Sequence, residues 1–305
     1  MGETLGISGV LGQVLVPSGP SNPWRYSFLF GLILYGLLFH DGIEMKLSVP
    51  ENILAGLLVG FGTTLGCGCT SGHGLVGLAR GSIRSLIAVL SFMTAAMVTN
   101  RLSEYPYSSL PLEVISGVEK SKLLILGFCF LSFCIIYFRH SKTSKKHWST
   151  YKFAFAFCIG MIFAYGLSTA GMTRPDVSKG FFTLPTLFLN NRPLNSFDYS
   201  LALVMIGGMV PNFFVFPFLE RYTKKPRWAE KWPEPARKIV DQRLVLGSFL
   251  FGIGWALGGL CPGPALIITL PTVLASRSGA IVYFWLSYYI GIQLARTVIA
   301  KKLIH

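Results

Sequence analysis

Residues 61–73 read FGTTLGCGCTSGH, and residues 252–264 read GIGWALGGLCPGP. Both stretches lie between apolar segments, and both place a glycine seven residues before a cysteine: Gly62 before Cys69, and Gly254 before Cys261. Glycine admits left-handed backbone turns and weakens a helix. Inside a lipid bilayer, irregular backbone is tolerated only within protein or against a water-filled cavity. The two stretches therefore read as re-entrant tips, where an apolar helix enters, breaks and leaves.

The rest of the chain fits a membrane setting. Of its 305 residues, 52% are hydrophobic and 13% are charged, and the mean hydropathy is +0.55. A soluble domain carries about 25% charged residues. Apolar runs predict spans at about 24–40, 51–66, 83–99, 121–138, 151–167, 199–219, 243–260 and 281–299. They should be helices, because only helices and closed barrels satisfy the backbone in lipid, and the alternation of a barrel is absent. The expected fold is an all-α integral membrane protein with about eight transmembrane helices.

The net charge is +14, and two basic blocks stand out, FRHSKTSKKHWSTYK at 138–152 and ERYTKKPRWAEKWPEPARK at 220–238. In a membrane chain such blocks read as topology signals that meet anionic head groups, and nucleic acid is not an expected partner. With eight spans, 19 of the 27 basic residues fall on the side holding both termini. That side is expected to be cytoplasmic, in the cell membrane. No secretory signal peptide is read at the start of the chain.

The six cysteines are Cys67, Cys69, Cys129, Cys134, Cys158 and Cys261. Cys129, Cys134 and Cys158 lie in apolar runs and read as packing. No C-x-x-C pair exists, so neither a metal site nor a cofactor is expected.

LLVGFGTTLGCGCTSGHG and FLFGIGWALGGLCPGPAL form an internal repeat, and each is followed by another apolar helix. LGISGVLGQVL at 5–15 matches YGLSTAGMTRPDVSKGFF at 165–182 more loosely. We expect a first repeat over 1–119, a linker helix and basic loop over 120–150, and a second repeat over 151–305. By span parity, the loops of Cys69 and Cys261 open on opposite sides. Such inverted repeats, with broken helices meeting at the midplane, mark transporters.

The tips carry the candidate binding residues. A helix starting near Thr70 or Ser71 would aim free N–H groups and its positive dipole end at the centre. Pro262 suits a helix start in the same way. A thiol at each tip is a weak donor and a polarizable contact for another sulfur, which points to a sulfur-containing anion. The candidates are Cys69, Cys261, Thr70, Ser71, Gly72, His73, Gly68, Cys67, Pro262 and Gly263. His73 could be a ligand or proton carrier, or it could orient the loop. Arg80 and Arg84 read as anchors at the basic face.

AGLLVGFGTTLGCGCTSGHGLVGLARGSIRSL resembles the signature of the YeeE/YedE family of membrane transporters for thiosulfate and related sulfur compounds. SFLFGIGWALGGLCPGPAL and YGLSTAGMTRPDVSKGFF resemble its companion half, so the chain looks like both halves fused. The resemblance implies a narrow central path in which thiosulfate passes between the thiols of Cys69 and Cys261. Cys67 sits where the family usually has a small polar residue. Only Met1 to Leu5 precede GISG, where the family usually has a full span, which implies one helix fewer in the first half. The GISG element also lacks a cysteine. A soluble sulfur-carrier protein at the cytoplasmic face is a further expected partner. The alternative is a membrane sulfurtransferase forming a persulfide on Cys69 or Cys261, with His73 as base.

Overall fold

The computed structural model describes residues 6–17, 22–40, 48–103, 127–132, 134–135, 148–185, 197–223, 225, 240–275 and 279–301. All regular structure in them is helical. In chain order come α1 (Ile7–Leu15), α2 (Trp24–Phe39), α3 (Val49–Leu65), a π-helical segment (Thr70–Gly77), α4 (Ile83–Leu102) and α5 (Trp148–Thr169). They are followed by α6 (Pro175–Phe182), α7 (Ser200–Tyr222), α8 (Gln242–Gly258), α9 (Pro262–Leu274) and α10 (Ala280–Ala300).

Seven of the eight expected spans are helices at their expected places. The eighth, at 121–138, lies largely outside the described residues. By length and composition, four stretches among the described residues are apolar enough to cross a membrane: α4, residues 151–169, α7 and residues 242–274. A fifth is α3 with the π-helical segment, bent by 43° at the break. Residues 242–274, with the break at Cys261 inside them, form one apolar stretch of 33 residues.

Local chemistry sets the helix starts. Ser48 and Glu51 form a capping box at the head of α3, with Pro50 in the first turn. Ser82 caps α4 by accepting from Ser85 N–H at 3.3 Å, and Asp241 caps α8 by accepting from Leu244 N–H at 3.0 Å.

Helix α3 is the centre of the bundle and packs along both α8 and α10, while α8 packs along α4 as well. Glycines permit the close approach. Gly62 lies on the backbone of Gly247 and Phe251, and Gly254 lies on that of Ala55 and Val59. Gly60 seats against the Tyr288 carbonyl, and Gly252 against the Phe92 carbonyl. The packing is reciprocal: the glycine pairs are each 192 residues apart, and Phe92 and Tyr288 are 196 apart. These contacts also fix direction, with α8 antiparallel and α10 parallel to α3.

Ion pairs tie one end of the bundle. Arg80 meets Glu220 at 3.2 Å, and Arg84 meets Asp241 at 3.9 Å. The turn after the first tip, the end of α7 and the start of α8 therefore share the end at which α3 terminates. The described parts of the loops near 67–82 and 220–242 meet at that end. The loop at 139–150 is almost wholly outside the described residues.

Candidate functional site

Each tip is built by one left-handed residue followed by an extended cysteine. At the first, α3 ends on Gly66, Cys67 has φ 57°, and Cys69 caps the π-helical segment with φ −128° and ψ −169°. At the second, α8 ends at Gly259 with φ 68°, and Cys261 caps α9 with φ −83° and ψ 162°. Cys67 and Gly259 are 192 residues apart, as are Cys69 and Cys261. Glycine is the usual occupant of such a left-handed helix end. A non-glycine residue there is strained by about 1–2 kcal/mol.

The two cysteines meet in one cavity of about 50 Å³, lined by Cys69, Thr70, Ser71, Cys261, Pro262 and Gly263 among the expected residues. A water needs roughly 10–15 Å³ on this measure, so the space suits a small ion. Thr70 Oγ1 lies 3.6 Å from Cys261 Sγ, and Cys69 Sγ lies 3.2 Å from Ser71 Oγ. Ile7 N–H donates to Ser71 Oγ at 3.2 Å, which brings the GISG element against the tip. At the second tip, Pro175 lies against Gly259. The two loosely matched motifs therefore do equivalent work, since each starts a short helix at one cysteine tip.

Backbone donors differ between the tips. In the π-helical segment, His73 N–H is bonded back to Cys69 O at 2.9 Å. The N–H groups of Thr70, Ser71 and Gly72 precede it at the positive end of the segment. In α9, Ala265 N–H bonds to Cys261 O at 3.0 Å, and Pro262 and Pro264 have no N–H. Gly263 alone can supply a backbone donor in that first turn. Anion contacts from the backbone thus come mainly from the Cys69 side.

Four of the expected residues do not line the cavity. His73 is buried, with Nδ1 3.2 Å from Ser85 Oγ and Nε2 3.2 Å from Gly66 O. Both ring nitrogens are engaged away from the cavity, so the ring braces the loop. Gly68 leaves room for that ring, because a Cβ there would press on it. Gly72 backs onto Gly6. Cys67 is exposed, and its Sγ lies 3.8 Å from Leu65 O.

The wall also contains residues that the sequence reading passed over: Met172, Ser178, Met205 and Trp255. With Cys69 and Cys261, the two methionines put four sulfur atoms on one small space. Met172 stands in the YGLSTAGMTRP motif, which was the available signal. Met205 lies in an apolar span that gave none. Among the described residues, no lysine, arginine or histidine lines the cavity. Arg80 and Arg84 make their ion pairs at the end of the bundle, as anchors.

Comparison with known proteins agrees with this architecture. The family model described as sulphur transport matches residues 43–99, and the family of unknown function DUF6691 matches residues 151–297. A probable transporter of Xylella fastidiosa (strain Temecula1) is 42% identical over 104 residues, which cover 32% of this chain and 76% of that protein. A second probable transporter of that strain is 34% identical over 129 residues, covering 42% of this chain and 80% of the relative. One from strain 9a5c is 37% identical over 102 residues, or 32% of this chain and 76% of the relative. The shared cavity, the helical membrane architecture and these matches lead to one conclusion: the chain belongs to the YeeE/YedE family of membrane transporters for sulfur compounds.

Proposed function

We propose that the protein carries thiosulfate, or a closely similar sulfur anion, through the cavity between the Cys69 and Cys261 thiols. The carrying observation is that both tip cysteines line one small cavity whose described lining includes no basic side chain. The terminal sulfur of the anion would meet S–H and thioether groups, which are soft and polarizable. Its oxygens would take hydrogen bonds from Thr70, Ser71, Ser178 and the N–H groups at the start of the π-helical segment. Weak contacts suit passage, since a transported ion must leave as readily as it enters. Reciprocal packing supports two repeats, 1–119 and 151–305, joined by 120–150. With α8 antiparallel to α3, it also supports an inverted relation between them. A soluble acceptor at the basic face would take the delivered sulfur.

The persulfide alternative calls for a base beside a thiol. The histidine nominated for that role is engaged with Ser85 and Gly66 instead, which favours transport of the intact anion. Competition against labelled thiosulfate in proteoliposomes tests the substrate class. Selenosulfate should compete within a few-fold of thiosulfate, and sulfate, which lacks the soft terminal atom, should compete poorly. Equal competition by sulfate would contradict the reading.

A further inference from the structure

Cys69, Met172, Leu201 and Trp255 stand on the cavity wall, and each is at most 4% exposed. An anion therefore reaches the Cys69 thiol only when part of the wall gives way. Most of the wall is held by backbone contacts. Gly254 seats α8 on the backbone of α3, and Gly36 seats α2 against the Ile267 carbonyl of α9. Gly31 and Gly160 seat α2 and α5 on each other's backbone. The short helices are pinned through their main chain as well. Ile7 N–H at the start of α1 donates to Ser71 Oγ at 3.2 Å, and Lys179 O of α6 accepts from Asn100 Nδ2 at 3.3 Å.

Helix α7 is held differently. It gives Leu201, Val204 and Met205 to the wall, yet of its 23 residues only Leu201 is buried. Its equivalent in the first half is α2, because Gly36 meets Ile267, Gly208 meets Leu75, and those two partners are 192 residues apart. Gly36 rests on backbone, whereas Gly208 rests on the Leu75 side chain and Gly74 on the Met205 side chain. The firmer ties of α7 lie toward its ends. Just before its start, Asp198 N–H donates to Gly180 O at 3.3 Å. Toward its close, Glu220 meets Arg80 at 3.2 Å, and the Arg80 guanidinium lies 5.5 Å from the centre of the Phe216 ring.

The middle of α7 is suited to bending. Pro211 has no N–H, so the Gly207 carbonyl loses its helical partner. Gly207 and Gly208 stand just before it, and helix kinks collect at proline and glycine. A Cβ at Gly207 would meet nothing within 4 Å, so close packing does not account for that glycine. Helix α2, clamped on backbone, has no proline between Trp24 and Phe39.

We propose that α7 is the gate of the cavity. It bows outward about Gly207–Pro211, lifts Met205 off Gly74 and opens the wall beside the Cys69 tip, while the ties at Asp198 and Glu220 keep its ends in place. This inference rests on the transport reading above. One half holds its side of the path rigid, and the other supplies the wall that moves.

Stiffening the hinge tests this. Gly207→Ala adds a helix-favouring residue in open space, and Pro211→Ala returns an N–H for the Gly207 carbonyl. Alanine in place of a helix-interior glycine favours the straight helix by about fivefold. Thiosulfate uptake into proteoliposomes should fall about fivefold in Gly207→Ala, and further in the double variant, while the melting temperature of each rises. Unchanged uptake in the double variant overturns the proposal. So does lower uptake with a lower melting temperature, which would mark a structural role.

A second readout does not depend on transport. The rate of iodoacetamide alkylation at buried Cys69, taken relative to exposed Cys67, is read by peptide fragment-ion mass spectrometry. It should fall about fivefold in Gly207→Ala, and an unchanged or higher ratio overturns the proposal. Wild-type protein without uptake would defeat the transport reading instead, and the alkylation ratio would still decide whether α7 gates the cavity.

Discussion

Thr70 Oγ1 lies 3.6 Å from Cys261 Sγ, so the tip of one half touches the cysteine of the other across 191 residues of chain. This contact closes the cavity between the tips and sets a hydroxyl beside the thiol on its wall. Replacing Thr70 with valine keeps the shape and removes the oxygen. Loss of one hydrogen bond of about 1 kcal/mol corresponds to roughly a fivefold fall in uptake. Thr70→Ser should retain most of it, and tracer uptake at low substrate concentration checks both.

Gly62 and Gly254 hold the halves together from equivalent positions, each with its α-carbon on the backbone of the other half. Alanine at either site forces the helices apart. Overpacking of this kind costs about 1–3 kcal/mol. Gly62→Ala and Gly254→Ala should lower the detergent melting temperature by similar amounts, because their surroundings are reciprocal. A large effect at one site alone would count against that reciprocity.

Cys67 is a cysteine in a glycine position. Its φ of 57° matches the 68° of Gly259, and it is exposed and does not line the cavity. Cys67→Gly should therefore raise stability by about 1 kcal/mol through relief of left-handed strain. Uptake should stay at the wild-type level. Thermal unfolding and transport assays on the same preparation measure both.

Much of this site was legible in the chain itself, for identifiable reasons. Helices α3 and α8 are apolar runs that end in glycine, and glycine punctuation survives any tertiary context. The spacing of Gly62 to Cys69 and Gly254 to Cys261 is the signal for an internal repeat, and contacts at positions 192 residues apart are reciprocal. The facing of individual side chains was not legible. His73 is polar and sits in a polar tip, which fits a wall position as well as a brace. The missing Cβ of Gly68 decides between them, and that choice exists only in three dimensions. Met205 and Trp255 look like any other apolar residue of a membrane span. Nor does the sequence show that Pro262 and Pro264 leave Gly263 as the backbone donor of its turn. That inequality appears once the first bonded amide of each tip is known.

The central claim is that the two tip thiols serve one path. It is tested most directly by uptake of sulfur-labelled thiosulfate into liposomes holding purified protein, wild type beside Cys69→Ala and Cys261→Ala. The account predicts uptake by the wild type and its near-complete loss in each single variant, with both variants folded as judged by their melting profiles. Wild-type rates in both variants would contradict it.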